Sequence, residues 1–374
     1  VMHFTAQDQS FMRMALELAS QATMATSPNP KVGCLIVKDG QILGKGCTQA
    51  VGQAHAEVMA LRDAANRGHD VRGATAYVTL EPCSHFGRTP PCANALVEAK
   101  LARVVAAIKD ANPQVAGRGL LILQNAGMQV EVGLYADEAR ELNRGFFQRM
   151  ETGRPWVRLK MAASLDGLTA LPNGQSQWIT DATARLDGHH WRAKADVILT
   201  GIGTVLSDDP QLTVRLPDLA VDQVHQPRKV IVDSALRTPL QAKILQQTPV
   251  TIFHASNDAD KIASMQQAGI ELHHAAAPMP ERNPRVDIEK VLEILGQQQV
   301  NDVHIEAGAT LSGAFLQANR VDELLLYLAP KLLGRGRSMF DLPVLHSVSE
   351  AKILAIHELR QIGEAIRVIA RWQK

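Results

Sequence analysis

Four polar residues restrict this chain more than any other feature of its 374 residues. His55 and Glu57 stand two apart in Q-A-H-A-E-V-M-A-L, at the head of a segment with helical spacing. Cys83 follows the β-rich run at residues 76–80, in the tripeptide E-P-C, and Cys92 lies just past Pro90-Pro91, where A-N-A-L-V-E-A begins another helix. One imidazole nitrogen and two thiolates make a three-ligand zinc set with a fourth position open, which is the catalytic arrangement rather than the closed structural one.

The chemistry uses each of these groups. Zinc lowers the pKa of a bound water from 15.7 to roughly 7. Two thiolates offset its charge, and thiolates near helix N-termini are favoured by the helix dipole. Glu57 is close enough to stay off the metal, take the water proton and deliver it to a ring nitrogen and the departing ammonia. That is the zinc nucleobase-deaminase pattern, H-x-E followed by P-C-x-x-C, with the second half stretched here to Cys83-x8-Cys92. His85, inside the stretched loop, is either a fourth ligand or a substrate contact. Cys34 and Cys47 read as structural cysteines, Cys34 within an apolar strand run.

Composition narrows the rest. The chain is 46% hydrophobic and 21% charged, with a formal net charge of +1. That is an ordinary globular balance without the charge footprint of a nucleic-acid or anionic-membrane binder, so any phosphate binding must be local. No apolar run approaches the roughly 18–20 residues of a membrane span, and the N-terminus lacks a basic-then-apolar leader pattern. The four cysteines all lie at or before residue 92, which argues against a disulfide framework and for a cytoplasmic protein with a metal site. The length predicts two domains.

Residues 5–23 read as a helix. V-G-C-L-I-V-K-D-G-Q-I-L-G-K-G reads as a hairpin turning at Asp39-Gly40. The ligand helix, a strand, the Cys92 helix and two further strand–helix pairs follow, the last helix ending near Met150. This alternation predicts an α/β layered sheet. E-T-G-R-P at 151–155 is the expected boundary, giving domains 1–150 and 151–374. The second half repeats the α/β pattern, with strands at W-V-R-L-K-M-A-A-S, A-D-V-I-L-T-G, R-K-V-I-V-D-S, V-T-I-F-H-A, D-V-H-I-E-A-G, E-L-L-L-Y-L-A-P-K-L and A-I-R-V-I-A-R-W. Residues 214–229 and 274–287 read as surface loops. Gly201-x-Gly203-x-x-Leu206 lacks the third glycine of a dinucleotide fingerprint and is not read as one. The 308–313 stretch is better placed: Gly308 permits close backbone approach, and the N–H groups of the following helix can face a phosphate.

The loop E-P-C-S-H-F-G-R-T-P-P-C, with S-P-N-P-K-V-G-C-L-I-V-K-D-G before it and D-A-N-P-Q-V-A-G-R-G-L after it, resembles the deaminase half of the bifunctional riboflavin-biosynthesis deaminase-reductase family. L-K-M-A-A-S-L-D-G, S-Q-W-I-T, T-V-L-S-D-D-P-Q-L-T-V-R and I-E-A-G-A-T-L-S-G resemble its reductase half. The resemblance implies an N-terminal cytidine-deaminase-like α/β/α sandwich and a C-terminal dihydrofolate-reductase-like α/β domain. It implies one zinc ion per subunit, NADPH in the reductase, and a homodimer formed through that half, with neither nucleic acid nor membrane as partner. The implied reactions are hydrolysis of the 2-amino group of a diamino-ribosylamino-pyrimidinone 5′-phosphate, then reduction of the ribosyl group to ribityl.

By the same resemblance, His55, Cys83 and Cys92 hold the metal and Glu57 is the proton shuttle. Asn29, His85, Asp110 and Asn112 meet the first substrate. In the reductase, Lys160 and Asp208 are catalytic. Ala162, Trp178, Thr204, Asp208, Ser234 and the run Gly308, Ala309, Thr310, Leu311, Ser312, Gly313 meet the cofactor. Ser176, Arg192, Leu212, Arg215 and Glu306 meet the second substrate. Three positions depart from the family pattern: Phe86 and Met59 where histidine is common, and Ala111 where proline is usual. Two other readings compete. One is a nucleoside or nucleic-acid deaminase with an unrelated appended domain; the other is a zinc-stabilised binding module closed by His85 or Cys34.

Overall fold

The computed structural model describes residues 4–84, 91–113, 115–217, 219–220, 223–246, 249–278 and 284–373. It divides into two compact units, Val1–Gly153 and Arg154–Lys374. Among the described residues no helix is long and apolar enough to cross a membrane.

The first unit opens with helix α1 (Ala6–Ser20), started by a reciprocal cap in which Thr5 Oγ1 accepts from the Asp8 amide and the Asp8 carboxylate accepts from the Thr5 amide. Asp8 also accepts from Tyr77 Oη and Arg103, both at 2.7 Å. Strands β1 (Gly33–Lys38) and β2 (Gln41–Cys47) form the expected hairpin, with Asp39 at φ 50° and Gly40 at φ 76°, the left-handed pair that a tight two-residue turn requires. Next come α2 (Ala56–Asn66), β3 (Thr75–Val78), α3 (Cys92–Glu98), β4 (Arg103–Ala106), α4 (Arg118–Asn125) and β5 (Gln129–Val132). The sheet order is β2-β1-β3-β4-β5, with β1 antiparallel to both neighbours and β3, β4 and β5 parallel.

Where one closing helix was expected, two form, α5 (Ala136–Leu142) and α6 (Arg144–Thr152). The chain breaks at Asn143, whose side-chain amide bonds both the N–H and the carbonyl of Lys31. One apolar layer joins α2, α3, α4 and α6 to one face of the sheet; a second joins α1 and α5 to the other. The unit is an α/β/α sandwich.

The second unit contains β6 (Trp156–Ser164), β7 (Leu168–Ala170), α7 (Ala182–Arg192), β8 (Val197–Gly201), α8 (Ile202–Asp208), β9 (Arg228–Val232) and β10 (Val250–His254). It continues through α9 (Ala259–Gln267), β11 (Glu271–His274), α10 (Ile288–Gln297), β12 (Asp302–Ile305), α11 (Ala309–Gln317), β13 (Glu323–Ala329), β14 (Arg337–Ser338), β15 (Leu354–Ile362) and β16 (Ala365–Trp372). Its nine-stranded sheet runs β11-β10-β9-β8-β12-β6-β13-β16-β15. The strands from β11 to β13 are parallel; β16 and β15 add antiparallel pairs at one edge.

Register decides which side chains share a face. His304 on β12 is level with Ile198 on β8 and Arg158 on β6, and Arg158 is level with Glu323 on β13, itself opposite Arg371 on β16. Strand side chains alternate with period two, so Thr200, Lys160, Ala162, Tyr327 and Arg367 belong to this same face. It is charged and largely buried. Helix α7 is joined to it: Asp187 accepts from Tyr327 Oη and Arg367, and Trp191 lies against the Arg158 and Arg367 guanidinium groups, 4.5 and 5.5 Å from its ring centre. The opposite face carries Val157, Leu159, Leu199, Val303 and Ile305, packed with α10 and α11 in the apolar core.

Candidate active sites

The structure brings His55, Cys83 and Cys92 together. His55 is the N-cap of α2, Cys83 lies in the loop after β3, and Cys92 is the first residue of α3. His55 Nδ1 is 3.5 Å from Cys83 Sγ and 3.4 Å from Cys92 Sγ, and all three ligand atoms lie within 4.8 Å of one another. Tetrahedral zinc with bonds of about 2.05 Å to nitrogen and about 2.3 Å to sulfur needs N···S separations of about 3.6 Å, so the donor set fits that ion. The Cys92 amide also donates to Cys83 Sγ, at 3.3 Å. A hydrogen bond from the Cys92 thiol lowers the Cys83 thiol to about 4 and raises its own, while Cys83 raises the His55 imidazole. A divalent cation favours ionising both sulfurs.

Glu57, in the first turn of α2, is buried. Burial first, then the Cys83 charge, raises its carboxyl to about 7. Helix α2 rides on β2 at backbone contact: a Cβ on Gly44 would sit 2.2 Å from the Ala60 carbonyl, and one on Gly46 would sit 2.5 Å from that of Ala56.

Cys34 is wholly buried in β1, and its thiol is raised by burial and by Glu57. Cys47 is the last residue of β2. Asn29 is half-buried after the turn at Pro28. Asp110 Oδ1 accepts from the Asn112 amide at 2.7 Å. Met59 lies in α2, and Ala111 between Asp110 and Asn112, both half-buried. His85 and Phe86 lie outside the described residues.

In the second unit the expected residues form two groups at the C-terminal ends of the central parallel strands, where open α/β sheets place their ligands. In the first, Glu306, just past β12, takes two parallel bonds from Arg192, at 2.5 and 2.9 Å, with Lys160 Nζ at 3.6 Å. Arg192 also donates to the Thr213 carbonyl, so its guanidinium is committed within the protein. Arg215 is more open, holding Thr213 Oγ1 at 2.9 Å, and Leu212 turns the chain between them at φ 50°. Beneath lies His304, wholly buried, 3.3 Å from Glu306 and lowered to about 4 chiefly by burial.

The second group joins two strand-to-helix turns. Gly308 is the N-cap of α11 and supplies no side-chain cap; a Cβ there would meet only Thr204 Oγ1, at 3.9 Å. A Cβ on Gly201 would meet Leu311 at 3.1 Å. The first-turn N–H groups of α11, those of Ala309, Thr310 and Leu311, have no side-chain cap from Gly308, and such groups suit a phosphate.

The other expected cofactor residues are spent differently. Ser312 is buried and donates to the Ala307 carbonyl, Gly313 abuts the Asp341 backbone, and the Ser234 hydroxyl accepts from the Val286 amide. Ala162 is half-buried, and Asp208 is exposed at the end of α8. Trp178 is 63% exposed with the Arg185 guanidinium 4.3 Å from its ring centre; Ser176 is half-buried nearby in sequence.

Two buried groups escaped sequence reasoning. Glu81, noted only as the first residue of E-P-C, gathers four backbone amides on its carboxylate. His304, given no role within the strand run D-V-H-I-E-A-G, is wholly buried.

Comparison with known proteins agrees with this geometry. Residues 5–108 match the family described as the cytidine and deoxycytidylate deaminase zinc-binding region, and residues 155–367 match the RibD C-terminal domain. The riboflavin biosynthesis protein RibD of Escherichia coli K12 is 47% identical over 368 residues, 96% of this chain and 97% of that protein. The solved structure of Acinetobacter baumannii RibD, form 1, superposes with a TM-score of 0.88 at 44% identity, covering 98% of this chain and 99% of that one. A Thermotoga maritima structure described as a diaminohydroxyphosphoribosylaminopyrimidine deaminase/5-amino-6-(5-phosphoribosylamino)uracil reductase gives 0.85 at 31% identity, covering 98% and 99%. With a zinc-deaminase half, a reductase half and relatives matched end to end, this chain belongs to the RibD family of bifunctional, zinc- and NADPH-using deaminase-reductases of riboflavin biosynthesis.

Proposed function

We propose that residues 1–150 deaminate a diamino-ribosylamino-pyrimidinone 5′-phosphate and that residues 151–374 then reduce the ribosyl group of the product. The observation that carries the first half is the meeting of His55 Nδ1 with two sulfurs at tetrahedral spacing beside a buried carboxylate. Zinc held by His55, Cys83 and Cys92 supplies a Lewis acid that lets water lose a proton near neutral pH. Glu57 takes that proton and passes it to the ring nitrogen, then carries the remaining proton of the added hydroxyl to the amine, so that a C–O bond replaces the C–N bond, the ring keeps a carbonyl and ammonia leaves. Asn29, Asp110, Asn112 and His85 hold the pyrimidine.

In the second half, NADPH bound to this unit would supply a hydride to ribose C1′ as the bond from C1′ to the ring oxygen opens. The first turn of α11, beside Thr204, receives a cofactor phosphate, and Asp208, Ala162, Trp178 and Ser234 meet other parts of the cofactor. Lys160, fixed by Glu306, holds the proton taken up by the ribose oxygen released from C1′. Arg215 is the open cation for the substrate phosphate; Ser176 and Leu212 shape the same wall. The match of residues 155–367 disfavours an unrelated appended domain.

Four free cysteines suit a reducing compartment, supporting the cytoplasm. Exposed Val344, Val348, Ile353, Ile356 and Leu359, in and before the edge strand β15, support a homodimer through this unit; light scattering of the intact chain reads it.

The test is metal content with ammonia release. Cys83→Ser and Cys92→Ser are each expected to lose the single zinc and the deamination together. Full zinc occupancy in both variants would overturn the ligand assignment.

A further inference from the structure

We infer that Glu81 is a positioning residue of the deamination reaction: it fixes the 110–117 loop as a wall of the pyrimidine site, in register with the metal ligands. The inference rests on the deaminase reading above and deepens it.

Glu81 is buried, two residues before Cys83. Its Oε2 accepts from the amides of Asp110 and Gly117, at 3.1 and 3.0 Å. Its Oε1 accepts from those of Gly119 and Leu120, at 3.0 and 3.4 Å. One carboxylate thus holds both ends of the loop and the first turn of α4. Its own amide donates to the Ile108 carbonyl at 3.0 Å, so the segments leaving β3 and β4 travel side by side.

The fit has no slack on the other side. A Cβ on Gly119 would lie 1.9 Å from the Pro82 carbonyl oxygen, so the turn rests on the backbone joining Glu81 to Cys83. Glu81 therefore ties the loop to the segment that carries the metal ligand Cys83. The loop carries Asp110 and Asn112, the latter tied back through its amide to Asp110 Oδ1. A helix cap needs only the α4 amides; the bond to Asp110, at the far end of the loop, is what a cap alone leaves unexplained.

Glutamine at this position keeps the shape but offers one oxygen, so its NH2 group confronts two of the four amides. A misplacement on the order of 1 Å can cost about 100-fold in rate. Glu81→Gln is therefore expected to keep one zinc per chain and lose about 100-fold in kcat/KM for ammonia release, mostly through KM. Hydrogen exchange at the Asp110 and Gly117 amides is expected to quicken.

Asp110→Ala alone is expected to weaken KM. Adding it to Glu81→Gln is expected to bring little further loss, because residues acting through one contact are not additive. Zinc lost in step with activity, losses that multiply in the double variant, or unchanged exchange at Asp110 would each overturn the inference. A wild-type chain that binds zinc but releases no ammonia from the pyrimidine would instead sink the deaminase reading. Should Glu81→Gln not fold, Gly117→Ala disturbs the same loop at a φ of 80°. A zinc-loaded Gly117→Ala protein with unaltered KM would also overturn it.

Discussion

Replacing Glu306 by glutamine tests the charge arrangement of the second unit. The carboxylate, 13% exposed, accepts from two of the three nitrogens of Arg192 and lies 3.6 Å from Lys160. Glutamine preserves the volume, removes the charge and turns an NH2 group toward one of the two cations. Removing one partner of a buried ion pair costs about 3–5 kcal/mol, because the other charge stays buried. Both partners keep some solvent access, and Lys160 can move, so the low end of about 3 kcal/mol applies. For a unit of this size that lowers the melting temperature by about 6–12 °C.

The sign with pH follows from the same geometry. Burial alone would raise the Glu306 carboxyl, but Arg192 and Lys160 hold it well below the usual carboxylate range. Its stabilisation is complete above the unfolded value near pH 4.3 and is lost as pH falls toward the folded one. Calorimetry of the intact proteins should therefore show a constant gap between wild type and Glu306→Gln from pH 6 to 8, narrowing in acid. A gap under about 2 °C at pH 7, or one that widens in acid, would refute the reasoning.

Two further outcomes are expected. Glu57→Gln should retain zinc and lose at least about 100-fold in ammonia release, since glutamine cannot accept a proton; an assay showing less than a tenfold loss would remove Glu57 from the proton path. Asp208→Asn should release ammonia normally and fail in NADPH oxidation on the deaminated product, and loss of both activities in a folded, zinc-loaded protein would argue for one shared site.

The ligand set was legible because metal chemistry restricts residue type: few groups other than His55, Cys83 and Cys92 serve zinc with an open position. The hairpin was legible for a similar reason, since Asp39-Gly40 tolerates the left-handed turn. Less visible was whatever depends on partners distant in sequence. Asn143 breaks a helix because it finds Lys31, which no local pattern announces. Strand β15 was missed because both its faces are largely exposed, so its residues lack alternation. Helix α10 was missed although its apolar residues, Val291, Leu292 and Leu295 among them, recur at helical spacing. Arg192 illustrates the limit for sites: the sequence marks a cation, but only the fold shows it already paired with Glu306.

Helix α7 has a consequence for how such an enzyme can be recombined. Its Asp187, Trp191 and Arg192 reach partners on β6, β13 and β16 and the segment after β12. Those partners are spread between Arg158 and Arg367 in the chain, yet they form one layer with the helix. A graft of α7 alone from a relative would arrive without its counter-charges, and a graft of the strands alone would strand theirs. Helix and charged sheet face therefore have to be exchanged together, and the seams for building chimeras lie outside this layer, in the loops flanking β10 and β11.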